Sequence, residues 1–205
     1  MGTAERKAKE KEELKELILQ AAQKLFVDKG IDNTTIRNIA QEIEYSVGTV
    51  YVYYRDKNDI LYDLHSRGFS MLGRSMSVLF HVSHPFERLK ALGRTYIAFA
   101  LENREMYDLM FNMRAPMASL KQQHTEKWNE GEDAFDVLRQ TVTQCIGAGY
   151  FKGHQPEPLA FAIWSAVHGM CSLYIRERIQ GASPANPERL LEEAFESLVG
   201  MMSQT

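Results

Sequence analysis

The sequence predicts an all-α fold of nine helices, on three observations. Apolar residues recur at three- and four-residue spacing along most of the chain. No stretch alternates apolar and polar residues in the manner of a half-buried strand. Glycine, proline and short polar clusters break the pattern at intervals suited to ordinary helices.

The elements follow in order. Residues 1–8 carry no apolar pattern and are expected to be irregular. Leu14, Leu17, Ile18, Ala21, Ala22, Leu25 and Phe26 mark an amphipathic helix, with Gly30 as its stop. In a short second helix, Ile36, Ile39, Ala40 and Ile43 bury one face, and Asp32, Asn33, Thr34 and Thr35 offer cap oxygens. Ser46 caps a third helix, in which Val50 and Tyr54 lie four apart. Asp56 caps a fourth, with Asp59 three residues later in a capping-box-like arrangement. That helix runs through Ile60, Leu61, Leu64, Met71, Leu72 and Leu79 towards His84-Pro85. Further helices are expected over 86–101, 106–113, 117–148, 159–178 and 187–202. Asn186 caps the last, and Pro187 suits its first position.

Composition narrows the class. At 205 residues, 44% hydrophobic and 25% charged, the chain is long enough to bury a sizeable core. No apolar stretch follows the basic start, so no signal peptide is expected. The apolar run 159–175 is broken by Ser165, His168 and Ser172 and reads as a buried helix, without membrane association. Cys145 and Cys171 have neither metal-site nor disulfide spacing, which fits a reducing cytoplasm. Residues 1–57 hold ten basic and ten acidic side chains, so the rest carries the whole net charge of −3. Arg6, Lys7, Lys9 and Lys11 cluster at the N-terminus, either as a local phosphate footprint or as a solvated mixed-charge helix start.

Residues 34–62, TTIRNIAQEIEYSVGTVYVYYRDKNDILY, are the most informative stretch. Two short helices joined by a tight turn have the size and polarity of a helix-turn-helix, whose second helix enters the DNA major groove. Thr35, Ile39, Ala40, Ser46, Gly48, Thr49, Tyr51, Tyr53 and Lys57 closely resemble the DNA-binding signature of the TetR family of bacterial transcription regulators. That resemblance covers residues 10–62 and implies a DNA-binding domain over 1–56 and a ligand-binding and dimerisation domain over 57–205. One residue departs from it. Glu44 stands where the family usually has glycine, so Glu44 must take positive φ at a cost of about 1 kcal/mol or the turn must differ. Further on, Trp164, His168 and Gly169 in AIWSAVHGMCSL resemble the Trp-His-Gly helix of one group of TetR-like ligand domains.

Candidate site residues fall into three sets. For DNA, Val47, Gly48, Thr49 and Val52 are placed to meet base edges, the valines through thymine methyls. Tyr51, Tyr53, Lys57, Thr35, Arg37 and the cap Ser46 are placed to meet the backbone, which positions rather than specifies. For a ligand, Tyr96, Phe99, Tyr107, Met110, Phe111, Met113, Trp128, Phe135, Trp164 and His168 supply the aromatic and methionine surface that lines adaptable pockets, and equally fills cores. His168 in an apolar run needs a partner for each ring nitrogen. For a dimer, Ala162, Ser165, Gly169 and Ser172 form a small-residue stripe, joined by Leu191, Phe195 and Leu198 of the last helix.

No catalytic or metal arrangement stands out: there is no phosphate loop, nucleophile elbow or paired-acid motif, and His81 with His84 lacks a third ligand. No cofactor is expected. The reading is a non-enzymatic, cytoplasmic, homodimeric repressor that binds double-stranded DNA and is released from a palindromic operator by a small, largely apolar effector. Two alternatives remain open. One is a DNA-binding regulator with a filled core and no small-molecule effector. The other is a helical small-molecule-binding protein with a vestigial DNA-binding domain.

Overall fold

The computed structural model describes residues 2–113, 129–181 and 186–203. Among these residues there are nine α-helices and no strand: α1 Thr3–Lys29, α2 Ile36–Glu42, α3 Val47–Tyr51, α4 Lys57–Ser77, α5 Pro85–Glu102, α6 Arg104–Phe111, α7 Asn129–Gly147, α8 Pro156–Ile175 and α9 Pro187–Ser203. Single 3₁₀ turns, Val78–His81 and Arg178–Gly181, follow α4 and α8. The expected start of the seventh helix, over 117–128, lies outside the described residues.

The N-terminus corrects the sequence reading. Helix α1 starts at Thr3, so the stretch expected to be irregular is helical. Its alanine, lysine and glutamate are strong helix formers. Arg6–Glu10 and Lys9–Glu13 are i,i+4 ion pairs at 3.4 and 3.6 Å. An apolar anchor further along has already met the cost of nucleation, so these exposed turns need only propagate.

The described residues form two compact units. One holds residues up to 68 with 105–113; the other holds 69–104 and everything from 129 on. In the first unit, α1 packs on α2, and α2 on α3. Ile18, Ala22, Phe26, Ile39, Val50, Ile60 and Leu61 are fully buried there. Polar ties link α1 to α4: Lys15 Nζ lies 2.7 Å from Asp63, and Arg67 pairs with Glu16. Arg67 draws the Glu16 carboxyl below its ordinary pKa. Helix α6 reaches α4 closely, because a Cβ on Gly68 would lie 2.5 Å from the Met110 sulfur. Buried His65 contacts the Met110 carbonyl at 3.2 Å through Nε2.

In the second unit, α5 packs on α7 and α8, α7 on α8, and α8 on α9. A Cβ on Gly93 of α5 would sit 2.5 Å from the Phe195 ring of α9, so glycine sets that approach. The Tyr150 ring, just past α7, stacks on Phe86 with centroids 4.7 Å apart.

Helix α2 ends in a Schellman motif. Tyr45 N–H donates to Ala40 O at 2.9 Å and Glu44 N–H to Gln41 O at 3.2 Å. Glu44 sits at φ 58°, so of the two options at this position the strained one is realised. Replacing Glu44 with Gly should relieve that strain and raise stability by about 1 kcal/mol. For a chain of this size that is a rise of roughly 2–4 °C in the thermal midpoint. A thermal melt in which Glu44→Gly is no more stable than the parent would mean that the left-handed turn carries no strain.

Candidate nucleic-acid interface and ligand core

Each short helix of the first unit is held at its start by a side chain. Thr35 caps α2: its Oγ1 accepts the Asn38 N–H at 3.2 Å, while the Asn38 carbonyl oxygen accepts the Thr35 N–H at 3.0 Å. Ser46 caps α3, its Oγ accepting the Thr49 N–H at 3.0 Å and lying 2.8 Å from the Thr49 hydroxyl. Asp56 caps α4 by accepting the N–H groups of Asn58 at 2.7 Å and Asp59 at 3.1 Å. Asp59 reaches back to Arg55, gripping its guanidinium at 2.8 and 2.9 Å and accepting its N–H at 3.1 Å.

Helix α3 is thereby pinned on one face and open on the other. Val50 and Tyr54 face the core; the Tyr54 hydroxyl donates to Asp63 at 2.8 Å, and burial pushes its pKa well up. Opposite them, Val52 is 76% and Tyr51 55% exposed. Gly48 is exposed, and Val47, Thr49 and Tyr53 are half-buried. Thr35, Arg37 and Ser46 are exposed on the same unit. Lys57 is placed differently from a side chain reaching out to solvent. Its ammonium donates to backbone carbonyls of the α1–α2 connection, Ile31 at 2.6 Å, Thr34 at 3.3 Å and Asp32 at 3.5 Å. Sequence reasoning also passed over Tyr45, 48% exposed in the turn, and the exposed Arg55. Position alone marked both, since each flanks α3.

The ten ligand candidates divide between the units. Tyr107, Met110, Phe111 and Met113 lie in the first; Tyr107 and Phe111 have ring centroids 4.9 Å apart. Tyr96, Phe99, Phe135, Trp164 and His168 lie in the second. Trp128 falls outside the described residues. The structure joins most of the second set. The Trp164 indole N–H donates to the Tyr96 hydroxyl oxygen at 3.2 Å. That oxygen is 3.2 Å from His168 Nδ1, and His168 Nε2 is 3.3 Å from Ser172 Oγ. With the ring neutral and its proton on Nε2, every one of these contacts has a donor and an acceptor. Phe135 flanks the chain, its ring 6.1 Å from that of Trp164. Ser172, expected on the small-residue stripe, also serves His168.

The dimer candidates divide as well. Leu191 and Phe195 are buried within their own unit, and Leu198 is half-buried. Ala162 and Ser165 are exposed and Gly169 is half-buried. Helix α8 is long and apolar enough to cross a membrane by length and composition alone. Ala160, Ile163, Val167 and Cys171 face the unit's interior, whereas Phe161 is 58% and Leu173 52% exposed.

Burial lowers the pKa of His168 below its ordinary value. The unfolded chain takes up that proton at about pH 6.5, and the folded protein only at lower pH. The unfolded state therefore binds more protons in between. The contribution of His168 to stability is complete above the unfolded pKa and declines as pH falls towards the folded one. Chemical denaturation at pH 7 and pH 5 should show a steeper loss for the parent than for His168→Gln. Equal losses would mean that the ring titrates as it does in the unfolded chain.

The model of bacterial regulatory proteins of the tetR family matches residues 18–64, and that of the tetracyclin repressor-like C-terminal domain matches residues 89–198. The HTH-type transcriptional regulator HbdR of Aromatoleum sp. (strain CIB) is 26% identical over 159 residues, which is 77% of this chain and 68% of HbdR. A TetR-family regulator structure from Syntrophomonas wolfei superposes with a TM-score of 0.74 at 22% identity, over 95% of this chain and 97% of that one. AibR, solved with isovaleryl coenzyme A and operator DNA, superposes with a TM-score of 0.68 at 19% identity, over 92% of this chain and 97% of AibR.

Proposed function

Because the chain belongs to the tetR family of bacterial regulatory proteins, we propose that it acts as a dimeric repressor, released from a palindromic operator by a small, largely apolar effector. Residues 1–56 take the DNA-binding role and 57–205 the ligand-binding and dimerisation role. The observation that carries the DNA half is the capped helix α3, buried through Val50 and open through Tyr51 and Val52. Val47, Gly48, Thr49 and Val52 read bases; Thr35, Arg37, Ser46, Tyr51 and Tyr53 hold phosphates. The protein works where its DNA is, in the cytoplasm.

The outward face of α8 supports a second copy of the chain as partner. Phe161 and Leu173 stand six residues either side of Val167, and Ser165 and Gly169 two either side. An antiparallel pairing of two such helices about a two-fold axis sets Phe161 against Leu173 at the ends and small residues against small residues between. A Cβ on Gly169 meets nothing within 4 Å in its own chain. Gly169→Leu should therefore leave the subunit folded and wedge the pairing apart. Light scattering should show a dimer for the parent and a shift to monomer for the variant. A parent that is monomeric at micromolar concentration would defeat the architecture.

The aromatic group around the Tyr96 hydroxyl supports an effector with an apolar body and a polar handle. Two of its members, Trp164 and His168, lie in the stretch that resembles the Trp-His-Gly helix. AibR, of the same fold, was solved with a coenzyme A thioester and DNA together, which is a precedent for an effector in this architecture. Effector and DNA are then coupled, each weakening the other, through spacing. Operator half-sites lie about 34–36 Å apart or a multiple of that. An effector that prefers another separation of the two reading helices lowers DNA affinity by the same factor by which DNA lowers effector affinity. A regulator with a filled core is the second reading, favoured by the mutual satisfaction of Tyr96, Trp164 and His168.

Genomic-fragment selection with the purified protein tests the DNA half. Thr49→Ala should change the selected motif, and an unchanged motif would remove Thr49 from base reading. For the effector half, a thermal-shift screen of hydrophobic compounds should find one that stabilises the protein, by about 2.7 kcal/mol at a hundredfold excess over Kd. The same compound should perturb tryptophan fluorescence and weaken DNA binding. A screen with no such compound leaves the filled-core reading standing.

A further inference from the structure

We propose that Lys57 is a clasp that closes the helix-turn-helix and positions α3, rather than a side chain held out for a phosphate. This rests on the DNA-binding reading above and deepens it.

The ammonium has three hydrogens. The structure gives them three backbone carbonyls, those of Ile31 at 2.6 Å, Thr34 at 3.3 Å and Asp32 at 3.5 Å. These carbonyls lie just past the end of α1, where the partial charge of the helix is negative. Lys57 itself opens α4, where the partial charge is positive and a lone cation is disfavoured. The ammonium thus compensates the negative end of α1 and is drawn away from the positive start of α4. The connection is also tied from its other side. The Thr34 side chain is fully buried, its hydroxyl 2.8 Å from Gly30 O and 3.1 Å from Leu25 O, and Thr34 N–H donates to Ile31 O at 3.2 Å.

The position of this contact along the chain gives it consequence. Thr34 is the last residue before the Thr35 cap of α2, and Lys57 is the first of α4. The bond from Lys57 to Thr34 O spans 23 residues, and everything between is α2, the turn and α3 with their caps. A contact that ties both ends of that segment constrains the angle at which α3 is presented.

The two roles for Lys57 differ in what they change. A phosphate contact contributes to all DNA alike and carries about one unit of the salt slope. A clasp contributes to the presentation of α3, hence to specific more than to non-specific binding, and to the stability of the free protein. Lys57→Met keeps the aliphatic stem and removes the donors. The clasp predicts a thermal midpoint several degrees lower. It also predicts operator affinity down by more than tenfold, non-specific affinity within about twofold, and a plot of log K against log salt with unchanged slope. An unchanged midpoint, with specific and non-specific affinity falling together and the slope dropping by about one, would overturn the proposal. A second measurement needs no variant to fold. In the DNA-free parent, nitrogen-detected NMR should find the Lys57 ammonium in slow proton exchange, as a held group. An ammonium exchanging as fast as those of exposed lysines overturns the clasp as well. If the parent selects no DNA at all, the proposed function fails, while the melting and NMR results still decide the clasp.

Discussion

A five-residue helix cannot hold itself together in water, and the DNA-binding part of this regulator presents one. Nucleation costs more than so few hydrogen bonds return. Helix α3 therefore exists because of what grips its ends and its inner face. Ser46 caps its start, Val50 buries its inner side, and Tyr54 anchors the chain just beyond its end. The Schellman turn that ends α2 delivers the chain to Ser46 in the right direction, at the expense of a left-handed glutamate. Each device is local, and together they orient a surface that has no rigidity of its own.

The second unit is governed by a different constraint. Its helices are long enough to be stable by packing, so the question there is what to do with polar atoms inside it. The buried Tyr96 and the half-buried Trp164 and His168 answer by bonding to one another, and a serine one turn along α8 completes the chain. A core closed in this way has one well-defined arrangement. A molecule entering it must break or replace specific hydrogen bonds, a cost that discriminates between ligands more sharply than apolar contact does.

Much of this was legible in the sequence, and the parts that were not have common causes. Helix number and the apolar faces follow from periodicity, which is strong in Ile36, Ile39, Ala40 and Ile43 and again in Leu191, Phe195 and Leu198. Caps follow from residue type, and Ser46, Asp56 and Asn186 all cap as their chemistry suggests. The first turns of α1 were missed because helix propensity and ion pairs leave no apolar trace. The link between Tyr96 and His168 joins residues 72 apart, and no local pattern encodes such a meeting. The division of the aromatic and methionine residues between two units was invisible for the same reason. Composition says that such residues congregate, and only topology says with which partners.

Lys57 shows how a motif can be legible in place while its role depends on the fold around it. Its spacing from Tyr53 and its position at the head of α4 are what the sequence displays. A lysine there suggests an anion, since the open N–H groups of a helix start attract one. The fold supplies another solution to the same electrostatics. The carbonyls beyond α1 carry negative partial charge, and the stem of a lysine is long enough to reach them. Charge alone cannot choose between phosphate and carbonyl, because both are oxygen acceptors for an ammonium. The choice depends on which is already present before DNA arrives, and in the folded chain the carbonyls are. A phosphate must then either displace contacts of which the shortest is 2.6 Å or accept a cation already engaged with the backbone. The interface is preorganised at the level of the backbone, and the residues that hold it need not be those that touch the DNA.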